Sequence, residues 1–371
     1  MDVSIILPCR NEEQAIVYCI RKIKSVLKEN NIKGEVIVSD SSTDNTYDLI
    51  KGLDVKIIRH NKIGYGNAYL EAFKYAQGKN IVLVDADDTY DYAEIPKFLE
   101  NLKHYDLVIG NRFSAPLPRN SMPFLNRYIG NPFLTLILKL FYKVKVTDAH
   151  SGFRAISKKN IERLNLVSQG MEFATEMLIE AKKHHLRVKE IPINYQARKG
   201  ESKLRPLSDG WRHLRLMLLH APNYLFLIPG ILFFIAGIFF MIIFSLGPIS
   251  IAGLPLDIHP MILASLLSIL GYQILFLGVF AKTYASIHLK QSDWLVDLIS
   301  KSLTIEKAST MGLLIFGIGF LINLLILIKW IKTGFGPLQN LRLSVFGFTM
   351  IVLGVQTIFS SFLLSILSIK K

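Results

Sequence analysis

The sequence predicts an α/β domain built on a mainly parallel sheet, followed by a region of four transmembrane helices. Three observations lead to this prediction. Short apolar runs alternate with longer amphipathic segments over residues 1–222. Acidic residues or glycines follow several of these short runs. Four longer apolar runs then occupy the rest of the 371-residue chain, near 224–246, 261–282, 311–331 and 344–367.

The predicted strands of the first domain are short and rich in branched apolar residues. They are 3–8, 35–39, 55–59, 81–84, 107–110 and 187–195. The run 81–84 has no polar alternation, which is typical of a strand buried on both faces. Amphipathic segments lie between them, the first from Asn11 to about Asn30, and predict helices. Strands that alternate with helices in this way form right-handed β-α-β units.

The apolar runs of residues 223–371 each reach the ~20 residues that a helix needs to cross a bilayer. They account for a mean hydropathy of +0.35. Asp2 and the polar residues after Pro8 leave no signal-peptide pattern, so we expect domain 1–222 to stay in the cytoplasm. Four spans would return the C-terminus to that side, and most loop charges agree.

The net charge of +14 is compatible with nucleic acid, anionic lipid or a phosphorylated substrate as a partner. None of the standard nucleic-acid modules is found, and no basic stripe is interleaved with aromatics. In a chain with four spans, anionic headgroups and a site for phosphates explain the charge better. We therefore expect no nucleic-acid partner.

Carboxylates follow the strand at 81–84. Asp85 and Asp87 are two residues apart, so their side chains point the same way if the extended conformation persists. They could then share one divalent cation. Taken alone, the pair is explained equally well by a solvated acidic turn. Its position favours a site, because ligands of open α/β sheets bind at the carboxyl ends of the strands.

Two other strand ends carry groups suited to a nucleotide. Asp40 could accept hydrogen bonds from a base or ribose, and Gly64 and Gly66 allow close backbone approach to a ligand. The glycines lack the spacing of a dinucleotide fingerprint, and a P-loop is absent. These observations argue against a Rossmann dehydrogenase.

The segment near 123–146 is apolar and amphipathic but is broken by Gly130, Asn131 and Pro132. Because of this break, we do not expect the segment to span a bilayer. Helices that lie in the membrane interface are the favoured interpretation. Plain core helices are the alternative.

Six motifs stand in order along the first domain. They are P-C-R-N-E-E from Pro8, D-S-S-T-D from Asp40, D-A-D from Asp85, G-N-R-F from Gly110, S-G-F-R from Ser151 after Asp148, and G-E-S-K-L from Gly200. In this order they resemble glycosyltransferase family 2, which has the GT-A fold, and most closely its polyprenyl- or dolichyl-phosphate hexose synthases.

The resemblance implies a nucleotide-sugar donor and a role for each motif. The residues implied to line the donor pocket are Pro8, Arg10, Glu12, Asp40, Asp85 and Asp87. It also implies that Asp85 and Asp87 bind Mg²⁺ or Mn²⁺, and that the loop from Arg198 to Lys203 binds phosphates. Thr89 stands where relatives often have a glutamine ligand, so the cation's full ligand set is open.

The chemistry of such a transfer places charges in two positions. A leaving diphosphate is stabilised by a cation on Asp87 and by Arg198 and Lys203. A lipid monophosphate, with a second pKa of about 6, can attack C1 directly with inversion and without a protein base. Arg112, Arg127 and Ser151 are the candidates for holding the acceptor phosphate. The predicted catalytic set is Asp87, Arg112, Arg198 and Lys203.

Transfer of a hexose to polyprenyl or dolichyl phosphate is the favoured function, with a UDP-hexose favoured over GDP-mannose. A processive polysaccharide synthase is one alternative, but its Q-x-x-R-W run is absent. A lipid-linked sugar flippase or scaffold is the other, and the scarcity of charge in the four spans opposes it. Asp148 is expected either to hold Arg154 or a loop, or to contact substrate. A structural role is favoured for Glu172 and Glu176.

Overall fold

The computed structural model describes residues 1–114, 118, 122–198, 206–251, 254–288, 296, 298, 304–336 and 340–369. The chain divides into two compact units, Met1–His220 and Ala221–Lys371. We call the first the sheet unit and the second the helix unit.

The sheet unit alternates strands and helices over most of its length. Its strands are β1 (Val3–Cys9), β2 (Gly34–Asp40), β3 (Lys56–Arg59), β4 (Asn80–Leu83), β5 (Leu107–Asn111), β6 (Arg154–Ser157) and β7 (Val188–Pro192). Its helices are α1 (Ile16–Glu29), α2 (Thr46–Ile50), α3 (Tyr65–Phe73), α4 (Ile95–Asn101), α5 (Asn131–Tyr142), α6 (Lys158–Leu164), α7 (Phe173–Lys183) and α8 (Pro206–Leu219).

The seven strands form one sheet in the order β3-β2-β1-β4-β6-β5-β7. All neighbouring pairs are parallel except those of β6, which runs antiparallel to both β4 and β5. The mainly parallel sheet was predicted, but β6 was not. The sequence after Ser151 was interpreted as a motif followed by a helix, whereas Arg154–Ser157 completes the centre of the sheet.

Apolar cores cover both faces of the sheet. In β1, Ile5 and Leu7 pack on one side with α1 and α4, while Ile6 packs on the other with α3 and α5–α8. This two-sided burial is what unbroken apolar strands predict. The sheet is therefore rigidly held, and its carboxyl ends present a fixed edge.

Helix α5 has apolar residues on two faces. Leu134 and Leu138 belong to the core, while Phe133, Leu136 and Leu140 remain more than half exposed. A π-helical turn, Asn126–Gly130, leads into this helix. The core-helix alternative therefore describes one face, and the membrane-interface prediction concerns the other.

The four predicted apolar runs are all helices in the helix unit, which confirms that part of the predicted fold. They are α9 (Ile228–Leu246), α10 (Ile258–His288), α11 (Ile305–Lys332) and α12 (Leu341–Leu367). Each is long and apolar enough to cross a membrane. A two-stranded hairpin, β8 (Ile249–Ile251) and β9 (Leu254–Leu256), lies between α9 and α10.

Glycines let these helices approach each other in pairs. A Cβ at Gly230 of α9 would lie 2.7 Å from the backbone nitrogen of Leu275 in α10. A Cβ at Gly354 of α12 would lie 2.5 Å from that of Phe316 in α11. Hydroxyl pairs then join α10 to α12, with Tyr272 2.5 Å from Thr357. Such small-residue contacts and hydrogen bonds are the usual means of helix association in lipid.

Candidate functional site

Asp85 and Asp87 lie just beyond the carboxyl end of β4, where the chain bends instead of continuing as a strand. Asp88 has a left-handed backbone, with φ of 61°. Both the backbone N–H and the hydroxyl of Thr89 donate to Asp87 Oδ1, at 3.1 and 2.5 Å. The bend and these two hydrogen bonds fix the orientation of the Asp87 carboxylate.

Asp85 has an oxygen that no protein group satisfies. Its Oδ1 is buried and has no hydrogen-bond partner among the described residues. Burial and, secondly, the nearby Asp87 carboxylate raise the pKa of Asp85 to about 7. A Cβ at Gly152 would lie 2.5 Å from Asp85 Oδ2, so only glycine leaves room for this carboxylate.

Arg198 bridges two of the predicted donor-site residues. Its Nη1 lies 3.1 Å from Asp87 Oδ2, and its Nη2 donates to Glu12 Oε1 at 2.5 Å. Glu12 follows β1 and Arg198 follows β7, so the guanidinium joins the two sides of the sheet edge. Its positive charge partly compensates carboxylates that would otherwise repel each other.

These residues fit a divalent cation. Mg²⁺ is commonly held by one or two carboxylates, with the remaining ligands supplied by water and substrate phosphates. Asp85 Oδ1 is an unsatisfied acceptor, and Asp87 Oδ2 already faces a cation. Within the described ranges no group of three or more His, Cys, Asp or Glu could hold a metal. The chain thus offers a two-carboxylate site that needs ligands from the substrate.

Asp40 lies at the carboxyl end of β2, level with Cys9 of β1. Its Oδ1 accepts the N–H of Ser42 at 3.0 Å, which fixes the carboxylate. Its Oδ2 is buried and has no partner in the part of the chain that is described. An acceptor held in this way can receive a hydrogen bond from a nucleotide. On the neighbouring strand β1, Pro8 lies opposite Ser39, one residue before the level of Asp40. Arg10 is exposed at the same edge of the sheet.

The family model "Glycosyl transferase family 2" matches residues 4–164, and the model "Glycosyltransferase family 2 C-terminal transmembrane region" matches residues 279–368. A hexosyltransferase of low-salt glycan biosynthesis, Agl6 of Haloferax volcanii, is 36% identical over 364 residues. That match covers 98% of this chain and 88% of the relative. The chain belongs to glycosyltransferase family 2. It is a glycosyltransferase and an integral membrane protein, and the predicted GT-A domain with four apolar helices is confirmed.

Two further proteins are similar to more than half of this family 2 glycosyltransferase. A dolichyl-phosphate hexose transferase of Haloferax volcanii is 29% identical, with 56% of this chain and 89% of the relative covered. A crystal structure of glucosyl-3-phosphoglycerate synthase from Mycobacterium tuberculosis, in complex with Mn²⁺, UDP and glucosyl-3-phosphoglycerate, is 19% identical. That match has a TM-score of 0.48 and covers 59% of this chain and 80% of the other.

Arg112 of this glycosyltransferase forms a bidentate ion pair with Asp148. Its Nε and Nη2 each donate to an Asp148 oxygen at 2.7 Å, and its backbone N–H donates to the same carboxylate at 3.0 Å. Asp148 therefore holds Arg112, not Arg154 as one alternative proposed. Arg154 donates instead to the carbonyls of Ala149, Ser151 and Ala174. A role of Arg112 toward the acceptor phosphate stays a prediction.

The remaining predicted phosphate residues differ in what surrounds them. The Ser151 hydroxyl is buried without a partner among the described residues, so it could donate to a ligand. Arg127 packs over the Tyr128 ring at 5.2 Å and lines a surface cavity. Lys203 lies outside the described residues. Their roles stay predictions.

The prediction for Gly64 and Gly66 was right about close approach but wrong about the partner. A Cβ at Gly66 would collide with the carbonyl of Ser168, and one at Gly64 with that of Gln169. The N–H groups of Gly66 and Asn67 donate to carbonyls of the same 169–170 segment. The glycines thus join α3 to the loop before α7. Glu176 accepts N–H groups of Val167 and Ser168, in keeping with its expected structural role.

Two residues of the site, Tyr65 and Tyr90, were missed, and Thr89 was considered only as a possible metal ligand. Tyr65 contributes a hydroxyl to Asp85, Tyr90 accepts the Gly152 N–H at 2.7 Å, and Thr89 orients Asp87. The two tyrosines are buried, and burial raises their pKa values well above the ordinary one, so both hydroxyls keep their protons. The position of Tyr90, three residues after the D-A-D motif, was an available signal, whereas Tyr65 is brought to Asp85 only by the fold.

Proposed function

We propose that this glycosyltransferase transfers a hexose from a nucleotide sugar to a polyprenyl or dolichyl phosphate, with inversion at the anomeric carbon. The observation that carries the proposal is the Asp85–Asp87 pair, buried at the carboxyl edge of the sheet and faced by Arg198. Two relatives from Haloferax volcanii, a hexosyltransferase and a dolichyl-phosphate hexose transferase, support the same reaction class.

The donor is proposed to bind across the ends of β1, β2 and β4. Asp40 would accept a hydrogen bond from the nucleoside, with Pro8, Arg10 and Glu12 beside it. Asp85 and Asp87 would hold Mg²⁺ or Mn²⁺, which supplies positive charge to the diphosphate when bound. Arg198 is already placed against Asp87 and can turn its guanidinium to the same diphosphate. Lys203 is proposed to add a second cation.

The acceptor is proposed to need no protein base. A phosphate monoester is largely ionised at neutral pH, since its second pKa is about 6. The protein has to position it and stabilise its charge. Arg112, held rigidly by Asp148, and the Ser151 hydroxyl are proposed to do so near the reaction centre, with Arg127 further out. Exposed Phe133, Leu136 and Leu140 would rest in the membrane interface.

A UDP-hexose is the proposed donor, with GDP-mannose as the competitor. The runs G-M-E-F-A-T-E-M from Gly170 and D-G-W-R-H-L-R from Asp209 support it, because they resemble family members that use UDP-hexoses more than those that use GDP-mannose. The sheet unit and both termini are proposed to face the cytoplasm, where nucleotide sugars are made available. Protease protection of the sheet unit in sealed right-side-out vesicles, with digestion in inverted ones, would test this orientation.

The reaction can be tested with the purified full-length protein in detergent. UDP-glucose, UDP-galactose, UDP-N-acetylglucosamine and GDP-mannose are each offered with farnesyl phosphate and Mg²⁺ or Mn²⁺. We expect one UDP-hexose to give a farnesyl-phosphate-linked sugar of inverted anomeric configuration by NMR. Chelation of the metal should abolish transfer. Transfer to a growing sugar chain in place of farnesyl phosphate would overturn the proposal.

A further inference from the structure

A surface cavity of about 330 Å³ opens beside α5 and has a mixed lining. It is lined by Phe113, Arg127, Pro132, Thr135, Leu136, Lys139 and Thr147. The lining contains two cations, two hydroxyls and three apolar residues, and no carboxylate among the described residues. Such a composition suits an anionic group that is attached to something apolar.

Thr135 has a buried hydroxyl that makes no hydrogen bond within the described part of the chain. The residue is 3% exposed, yet its Oγ1 has no hydrogen-bond partner among the described residues. A threonine within a helix normally donates to the carbonyl four residues earlier. Thr283, Thr349 and Thr357 in the helix unit do so at 2.7–2.8 Å. An unmet buried donor is costly, so the Thr135 hydroxyl is suited to bind a ligand.

Two cations line the cavity together with Thr135. Lys139 is four residues after Thr135, on the same face of α5, and Arg127 lies in the π-helical turn that precedes this helix. An arginine and a lysine together match the charge of a phosphate monoester, and arginine can bind two of its oxygens at once. Both side chains line the same cavity as the unpaired hydroxyl.

Two residues of the inner cavity wall are sequence neighbours of the Arg112–Asp148 ion pair. Phe113 follows Arg112, and Thr147 precedes Asp148, so the cavity begins next to the Arg112–Asp148 ion pair. Thr147 itself is already occupied, because Glu190 accepts its hydroxyl at 2.9 Å and its N–H at 2.7 Å. Glu190 also accepts the Asp148 N–H at 2.7 Å, so its charge is compensated by hydrogen bonds.

We propose that this cavity receives the phosphate of the lipid acceptor on its way to the reaction centre, bound by Thr135 and Lys139 together with Arg127. The inference rests on the proposed function, which it extends by naming the first acceptor site. Apolar Phe113, Pro132 and Leu136 contact the first isoprene units, and exposed Phe133 and Leu140 continue the apolar path along α5. A free phosphate would make no use of these apolar walls.

The test uses the full-length enzyme in detergent and farnesyl phosphate as the probe. Lys139→Met and Thr135→Val are compared with Lys145→Met, which removes an exposed charge near α5 but outside the cavity lining. Loss of one charge-assisted hydrogen bond should raise the acceptor KM by about 10-fold for Lys139→Met, and by roughly 3- to 10-fold for Thr135→Val. Thr135→Ser should restore it. The donor KM and kcat should stay near those of the parent.

Binding of radiolabelled farnesyl phosphate without donor separates this proposal from the proposed function. Weakened binding in both variants, in a protein that transfers no hexose to it, would support the cavity and overturn the function. Normal transfer with variants indistinguishable from Lys145→Met would overturn the cavity alone. Equal competition by phosphatidylglycerol vesicles would show a site for bulk anionic lipid and would also overturn the assignment. Competition by inorganic phosphate as strong as by farnesyl phosphate would remove the role of the apolar walls.

Discussion

The sheet unit and the helix unit are held together by opposite kinds of residue. Large aromatic side chains stack in the core of the sheet unit, as in Phe98 and Phe153, whose ring centroids are 4.0 Å apart. In the helix unit, glycines such as Gly237 and Gly319 are buried where two helices meet, while most large apolar side chains point outward. Large apolar side chains are thus buried in the sheet unit and exposed in the helix unit.

The surroundings of each unit explain this difference. Water drives large apolar groups into the sheet unit's core, because their burial removes apolar surface from water. Lipid tails are as apolar as leucine, so the spanning helices gain nothing from hiding such groups and associate by close backbone packing and hydroxyl pairs. Ser265 with Thr349 at 2.6 Å and Tyr272 with Thr357 at 2.5 Å are such pairs.

The two units also differ in where they carry charge. The carboxylates and arginines of the proposed site lie in the sheet unit, among Asp85, Asp87, Arg112 and Arg198. In the helix unit, the Asp257–Arg342 ion pair lies at helix ends, with Arg342 Nη2 2.5 Å from Asp257 Oδ1. Substitutions in the sheet unit should therefore change the rate of transfer, and substitutions in the helix unit should change stability.

The largest effect is expected from Asp87→Asn. The change keeps the size of the side chain and removes one of the two carboxylates available to a cation. We expect hexose transfer to fall by at least about 10³-fold, comparable to the loss of a major electrostatic group from an active site. Initial rates with farnesyl phosphate would measure it. Asp54→Asn, at an exposed ion pair with Lys24, is the matched control and should leave the rate unchanged.

If Asp87→Asn retained more than a tenth of the parent rate while Asp54→Asn behaved normally, the Asp85–Asp87 pair would not be the metal site. The melting profile of the variant would show whether the sheet unit is still folded.

A smaller effect is expected from Arg198→Ala. Loss of its contacts with Asp87 and Glu12 removes a cation from the diphosphate site, which should lower kcat by about 10²-fold. Because the guanidinium now neutralises Asp87, its loss should also strengthen Mn²⁺ binding in the absence of nucleotide, measured by electron paramagnetic resonance. Arg187→Ala, at an exposed ion pair with Asp106, serves as the control.

Weaker Mn²⁺ binding in Arg198→Ala would contradict this account. It would mean that Arg198 organises the carboxylates and does not compete with the cation for them.

The smallest effect in free energy is expected from Gly237→Leu in the helix unit. A Cβ at Gly237 would collide with the backbone of Ser268 in α10, so the helices must separate. We expect a loss of about 1–3 kcal/mol in stability, as for overpacking of a core. Gly317→Leu adds the same side chain where no atom lies within 4 Å and should be neutral or slightly stabilising. Size-exclusion profiles after heating in detergent would compare them.

Equal heat resistance of Gly237→Leu and Gly317→Leu would show that backbone contact does not hold the helix unit together. A fall in transfer by Gly317→Leu would show that this unit contributes more to the reaction than anchoring.

The helices of the helix unit and the position of Asp85 and Asp87 could be predicted because their signals are local. A span is a continuous apolar run, and the carboxylate pair directly follows a strand. The orientation of the pair could not, because the strand ends at Leu83 and Thr89 turns Asp87 by hydrogen bonding. The metal hypothesis assumed an extended conformation after Leu83, whereas the chain bends there, and the metal site itself stays a prediction.

Contacts between distant residues account for most of what was missed. Strand β6 has only four residues, and its place between β4 and β5 depends on pairing with segments far along the chain. The signal of Gly64 and Gly66 was correct, but their neighbour is the backbone near Gln169. The Arg112–Asp148 and Arg198–Asp87 ion pairs likewise join separate segments whose proximity only the fold creates.

The order of contacts along the chain also bears on how the protein is made. In the sheet unit, β5 pairs with β7 and β4 with β6, so the sheet closes only after Val188–Pro192 has been synthesised. In the helix unit, α9 packs on α10 and α11 on α12, and each hairpin is complete when its second helix emerges. We expect a folded sheet unit to precede membrane insertion, and the helices to enter the bilayer as two successive hairpins.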